Sequence, residues 1–198
     1  MGSIEQRHHH HHHHSSNRIK RVGAWEGASN GLFNLLNFKG RMRRSEYWWF
    51  FAVAILLCVV VFFGFVAWED SVVQEWADKQ RTISARQLFP YTLQRWTMPF
   101  YILIGLLFAA QVRRFHDIGY RAWIPVFKVV AFTVLAYSYT SVANATFSLV
   151  VDLNVLGWIA LVLYLASAIT IAYYATIDSE KEKNRYGKSP KYKRKMQE

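Results

Sequence analysis

Long apolar runs alternate along this chain with short polar stretches, and the length of those runs sets the first expectation. Residues 48–68, WWFFAVAILLCVVVFFGFVAW, contain no charge, and about 20 apolar residues are what a helix needs to cross a bilayer. Residues 154–177, NVLGWIALVLYLASAITIAYYATI, are equally uncharged, and Ala166, Ser167 and Ala168 would let a neighbouring helix approach closely. These two runs predict a first and a last span. Between them, residues 96–112 and 123–143 predict two more, interrupted by Pro99 and Lys128. A helix starting at Trp96 would hold Pro99 in its first turn, where a missing N–H costs no hydrogen bond. Arg95 and Lys128 would extend their charges to the headgroups.

Two weaker patterns flank the first span. The cluster LFNLLNF at 32–38 predicts a helix lying in the headgroup layer. Val72, Val73, Trp76, Ile83, Leu88 and Phe89 predict a short helix resting on the outer leaflet. The expected fold is all-α: a multi-pass, four-transmembrane-helix bundle with short interfacial helices. Its expected divisions are an affinity tag at 1–16, a cytoplasmic N-terminal segment with an interfacial helix at 17–47, the transmembrane domain at 48–177, and a basic cytoplasmic tail at 178–198.

Charge supplies the orientation. Arg18, Lys20, Arg21, Lys39, Arg41, Arg43 and Arg44 precede span one, Arg113, Arg114 and Arg121 follow span two, and a lysine-rich tail follows span four. The loop after span one mixes Glu69, Asp70, Glu75 and Asp78 with Lys79, Arg81 and Arg86, and the loop after span three has Asp152 and no base. This alternation predicts both termini in the cytoplasm.

Composition narrows the class. A net charge of +11 together with 53% hydrophobic residues fits basic loops between membrane spans, whereas nucleic-acid binding needs the bases clustered on a soluble face. No nucleic-acid partner is expected. Apart from the tag RHHHHHHHSS, His116 is the only histidine, and Cys58 is the only cysteine. A zinc site built on Cys and His is therefore not expected, and neither is a cofactor.

Three motifs carry the candidate chemistry: FKGRMRRSEYWWF at the start of span one, RRFHDIGYRAW between spans two and three, and KNRYGKSP after span four. In this order they resemble the bacterial domain of unknown function 805 family, small inner-membrane proteins. The likeness covers about residues 32–190. The chain departs from the family pattern at Arg121 and Ala122, where a serine and a glycine are usual, and at Lys188 and Ser189. The resemblance implies a multi-pass protein of the bacterial inner membrane and no established activity.

All three motifs fall on the predicted cytoplasmic side, which would gather Arg41, Arg44, Arg113, Arg114, His116, Asp117, Asn184 and Arg185 at one membrane face. One reading is structural. Gly119 would end the second span with a positive φ, Asp117 would pair with Arg41 or Arg44, and Gly40, His116 and Trp123 would complete a polar cluster. Ser45 would cap the first span. A sharper reading makes Arg41, Arg44, Arg113, Arg114, Asn184 and Arg185 a site for anionic phospholipid, because arginine's planar fork suits phosphate. Membrane lipids and a membrane-protein partner are the expected associates, with no sequence feature fixing the oligomeric state. Catalysis is not expected, since no acid, base and nucleophile converge. The alternative is transport of a small solute or ion, along a path drawn from Gly105, Thr133, Tyr137, Tyr139 and Thr140.

Overall fold

A segment surrounded by lipid must satisfy its own backbone N–H and C=O groups, so the apolar runs fold as helices. The computed structural model describes residues 21–192 and contains five: α1 Ala24–Phe33, α2 Arg44–Asp78, α3 Ala85–Asp117, α4 Trp123–Thr146 and α5 Val155–Ala175. The tag at 1–16 and the last tail residues, 193–198, lie outside the described residues. Helices α2 to α5 are each long and apolar enough to span a membrane. The chain is an all-α, multi-pass membrane protein with a four-helix transmembrane bundle. Leu56, Val60, Phe63, Val162 and Ile169 are exposed on its outside, which suits lipid contact.

The first two spans exceed the apolar runs that announced them. At 35 and 33 residues, α2 and α3 are each about 50 Å long at 1.5 Å per residue, well beyond the ~30 Å hydrocarbon layer. The excess forms a hairpin extension. Val72, Val73 and Trp76 continue α2, Leu88 and Phe89 belong to α3, and Ile83 lies in the connection at 79–84. The expected separate outer helix is therefore absent among the described residues. Its place is set by a capping box, in which Ser84 accepts from the Gln87 amide and Gln87 accepts from the Ser84 amide, starting α3 eleven residues before Trp96.

That early start also moves Pro99 into the helix interior. The Arg95 carbonyl loses its helical donor there, a defect tolerated in transmembrane helices when neighbours compensate. Arg95 itself does not extend freely to headgroups: its guanidinium pairs with Glu69 at 2.8 Å, and Thr92 donates to the same carboxylate at 2.9 Å.

Two hairpins, α2–α3 and α4–α5, each pack tightly within themselves, while α3 meets α4 and α5 only sparingly. One core, Met42, Tyr47, Phe50, Ala54, Leu107, Ala110 and Ala175, sits at the end that bears the termini. A smaller one, Phe89, Leu93 and Ala143, closes the far end.

The helix ahead of α2 is upstream of the cluster that predicted it. Only Leu32 and Phe33 of that cluster are helical, and 34–36 form turns. Gly27 and Gly31 explain the shift. An added Cβ on Gly31 would run into the Phe50 ring, and one on Gly27 would meet the Trp49 Cβ and the Glu46 backbone. The glycines let α1 lie directly against the start of α2. Asn30 is hydrogen-bonded to Glu46 across the contact.

Candidate functional site

The site begins where α3 ends. Gly119 has φ +83°, its N–H donates to the His116 carbonyl, and the Tyr120 N–H reaches back to Phe115 O. This is a Schellman ending, and the left-handed residue it requires is the predicted glycine. The turn stops the helix with Arg113, Arg114, His116 and Asp117 all buried.

Asp117 is fully buried and accepts from three groups. Arg41 Nε donates to Oδ1 at 3.0 Å, Arg114 Nη1 donates to Oδ2 at 2.5 Å, and the Ser179 hydroxyl donates to Oδ2. Of the two predicted partners, Arg41 is the one used. Arg44 turns instead to the Thr176 carbonyl at 3.0 Å. A buried carboxylate survives only when paired and hydrogen-bonded, and here the charge is shared by two guanidiniums.

Arg41 ties the protein's two ends together. It donates to Asp117 Oδ1 and O, to Glu180 O, to Glu182 O and to Gly187 O, using all three of its nitrogens. Arg114 donates to the Ala175 carbonyl at 3.3 Å and to Met42 O at 3.3 Å, in addition to Asp117. Trp48 Nε1 also donates to Ala175 O at 3.2 Å. The last carbonyls of α5, which have no partner inside the helix, are thus capped by Arg114, Trp48 and Arg44.

Arg113 points to the other side, donating to Asn34 O at 2.6 Å and Asn37 O at 2.8 Å. These are the turn carbonyls that follow α1. His116 Nδ1 lies 3.1 Å from the Gly40 carbonyl, so that nitrogen carries the proton. Gly40 adopts φ +88°. The imidazole stacks on Tyr186 at 3.7 Å and 7°, and Asn184 Nδ2 donates to the His116 carbonyl at 2.9 Å.

Gly40, Arg41, Arg114, His116, Asp117 and Asn184 therefore meet in one knot, with Arg113 and Gly119 at its edges. Trp123 does not join it: at 73% exposed it starts α4 outside the cluster. Arg185 is also exposed and lies over the Tyr186 ring, 6.0 Å from its centroid. Ser45 is not the cap of α2. Arg43 occupies that position, which puts Ser45 inside the first turn, its buried hydroxyl unpartnered among the described residues. Ser179 and Tyr186 are knot residues that the sequence did not single out. Each sits in the tail, where no periodicity marks which side chain folds back.

The tail is fastened a second time. Lys191 Nζ lies 2.8 Å from Asp178 Oδ1 and the Tyr192 hydroxyl donates to Oδ2 at 2.7 Å. Burial pushes the Asp178 carboxyl up, but the bonds from Lys191, Tyr192 and the Ser179 amide outweigh it and hold it down at about 2.

Lys128 departs from expectation. Its side chain does not extend to headgroups: the residue is only 6% exposed, and its ammonium donates to Gln111 Oε1 at 3.4 Å. Gln111 in turn donates to the Tyr47 hydroxyl at 3.4 Å. The polar line crosses α4, α3 and α2, because position 128 faces the neighbouring hairpin and not the headgroup layer. The residues considered for a polar path do not converge. Thr133 bonds back to Val129 O, Tyr137 is exposed, Tyr139 donates to Leu149 O, and Tyr101 pairs with Thr140.

Among the described residues, no group of three or more His, Cys, Asp or Glu side chains could hold a metal ion. No curated protein and no solved structure matches the chain. The family described as "Protein of unknown function (DUF805)" matches residues 35–188, from the turn after α1 to the tail loop that stacks on His116, and the chain belongs to that family.

Proposed function

We propose that this protein is a non-enzymatic scaffold or binding module of the bacterial inner membrane, with both termini cytoplasmic and a basic rim that gathers anionic phospholipid. The observation that carries the reading is the division of labour among the arginines. Arg41 and Arg114 donate to Asp117 and to carbonyls, and Arg113 donates to carbonyls, so they hold the fold. Arg121, Arg185 and Arg44, the last of which also caps Thr176 O, are exposed around the same end, where cations near the membrane surface attract anionic headgroups. Exposed Trp123 beside them suits the interfacial depth. A buried carboxylate bonded to two guanidiniums and a hydroxyl is committed to the fold, which supports a binding role over catalysis.

The test is lipid retention. Wild type and the triple variant Arg44→Gln, Arg121→Gln, Arg185→Gln would be extracted from membranes of the same phosphatidylethanolamine and phosphatidylglycerol content and weighed by native mass spectrometry. Bound phosphatidylglycerol should be enriched in the wild type and fall several-fold in the variant. Equal retention would remove lipid binding from the rim and leave a scaffold.

A further inference from the structure

Where the two hairpins meet loosely, a crevice of about 750 Å³ opens between α3, α4 and α5, within the ~300–1,000 Å³ range of small-molecule sites. Its walls are aromatic and aliphatic, and none of its lining residues is charged. The α4 wall consists of Phe132, Leu135, Ala136 and Tyr139. Helical spacing puts Lys128 on the same face, one turn from Phe132 and two from Leu135, just beyond the lining on the termini-bearing side. Lys128 is buried, has no carboxylate partner among the described residues, and makes one long bond to a neutral amide.

An ammonium in that position lacks a counter-charge, and an apolar crevice lacks a filling. We propose that one ligand supplies both: a long-chain fatty acid, with its acyl chain in the crevice and its carboxylate on Lys128. The charges match one to one, whereas a phosphate head would leave excess negative charge in a buried place. The carboxylate replaces Gln111 Oε1 as the ammonium's acceptor. The Gln111 amide, already a donor to Tyr47, stands beside it. The head lies at Lys128, on the termini-bearing side of Phe132, and the tail runs past Phe100 and Trp96 toward the α4–α5 connection, where Leu149, Val151 and Leu153 close the crevice. This site is separate from the basic rim, and either can fail without the other.

Trp96 lines the crevice and provides the readout. The full chain in detergent would be titrated with 9,10-dibromostearate, whose bromines quench nearby tryptophan. Saturable quenching should occur in the wild type and largely vanish in Trp96→Phe. Palmitate should compete, and methyl palmitate should compete about tenfold less well or worse, because it lacks the charge that Lys128 recognises. Lys128→Met should weaken dibromostearate binding by a similar factor, and Lys128→Arg should retain it. Ala136→Trp, which fills the crevice without touching Lys128, should abolish it. Binding that survives Ala136→Trp, equal competition by palmitate and its methyl ester, or displacement by phosphatidylglycerol and not by palmitate would each overturn the proposal.

Discussion

Replacing Asp117 by alanine should be the most damaging single change at the termini-bearing end. The carboxylate is fully buried and receives Arg41, Arg114 and Ser179. Removing it strands two guanidiniums. Arg41 keeps four carbonyl acceptors, Asp117 O among them, and Arg114 keeps two, so neither loses all of its partners, but both lose the carboxylate they bond directly. Breaking a buried pair by removing one partner costs about 3–5 kcal/mol. At roughly 2–4 °C per kcal/mol for a chain of this size, detergent-solubilised protein should melt about 6–20 °C lower. Asp117→Asn, which keeps the volume and one acceptor oxygen, should fall between the two. The assay is thermal unfolding followed by tryptophan emission, with Arg41→Met and the double variant completing a cycle. The two single losses should be strongly non-additive, because each already breaks the same bond. A fall below about 1 kcal/mol for Asp117→Ala, the level of an exposed pair, would refute the reasoning.

Arg113→Lys with Arg114→Lys preserves charge but loses the forked donors to Asn34 O, Asn37 O, Ala175 O and Met42 O; unfolding in detergent should register a loss of about 2–4 kcal/mol from several carbonyls left without donors. Gly31→Ala should cost about 1–3 kcal/mol by overpacking against Phe50, and hydrogen exchange should show α1 loosened while α2 to α5 stay protected. Because the folded carboxyl of Asp178 titrates at about 2, below its ordinary ~4, the tail fastening is fully present above about pH 4 and is lost as pH falls toward 2; exchange at Tyr192 should rise over that interval, and Asp178→Asn should abolish the dependence. For topology, a cysteine at Lys79 in intact cells should react with an impermeant thiol reagent, while one at Lys188 should react only after lysis; labelling of Lys188 in intact cells would reverse the orientation.

The four spans were legible because apolar length is a one-dimensional signal. Residue 119 was legible too, since a glycine after a basic helix end has few other uses. What the sequence concealed depended on who faces whom. Lys128 read as a headgroup-seeking lysine, and only the packing of α4 on α3 sets it against Gln111. Pro99 read as a first-turn proline because Trp96 looked like a start, while the capping pair Ser84 and Gln87 lay further upstream in plain view. The small-residue spacing of Gly27 and Gly31 was likewise present, yet the apolar cluster after it drew the helix too far along. The expected convergence of the three motifs holds for Arg41, Arg114, His116, Asp117 and Asn184. It does not extend to Trp123 or Arg185, because those side chains sit on the outward sides of their segments.

The Arg41 clasp has a bearing on how the protein is made. Arg41 emerges from the ribosome before the first span, and three of its acceptors, on Glu180, Glu182 and Gly187, emerge after the last. The contact closes a loop from Arg41 to Gly187, so it forms only when all four spans are in place and the tail has returned to the side that holds Arg41. Until then Arg41 lacks those three acceptors and Asp117 lacks the Ser179 donor. A chain truncated before Ser179 would therefore leave the clasp open however well its hairpins had packed.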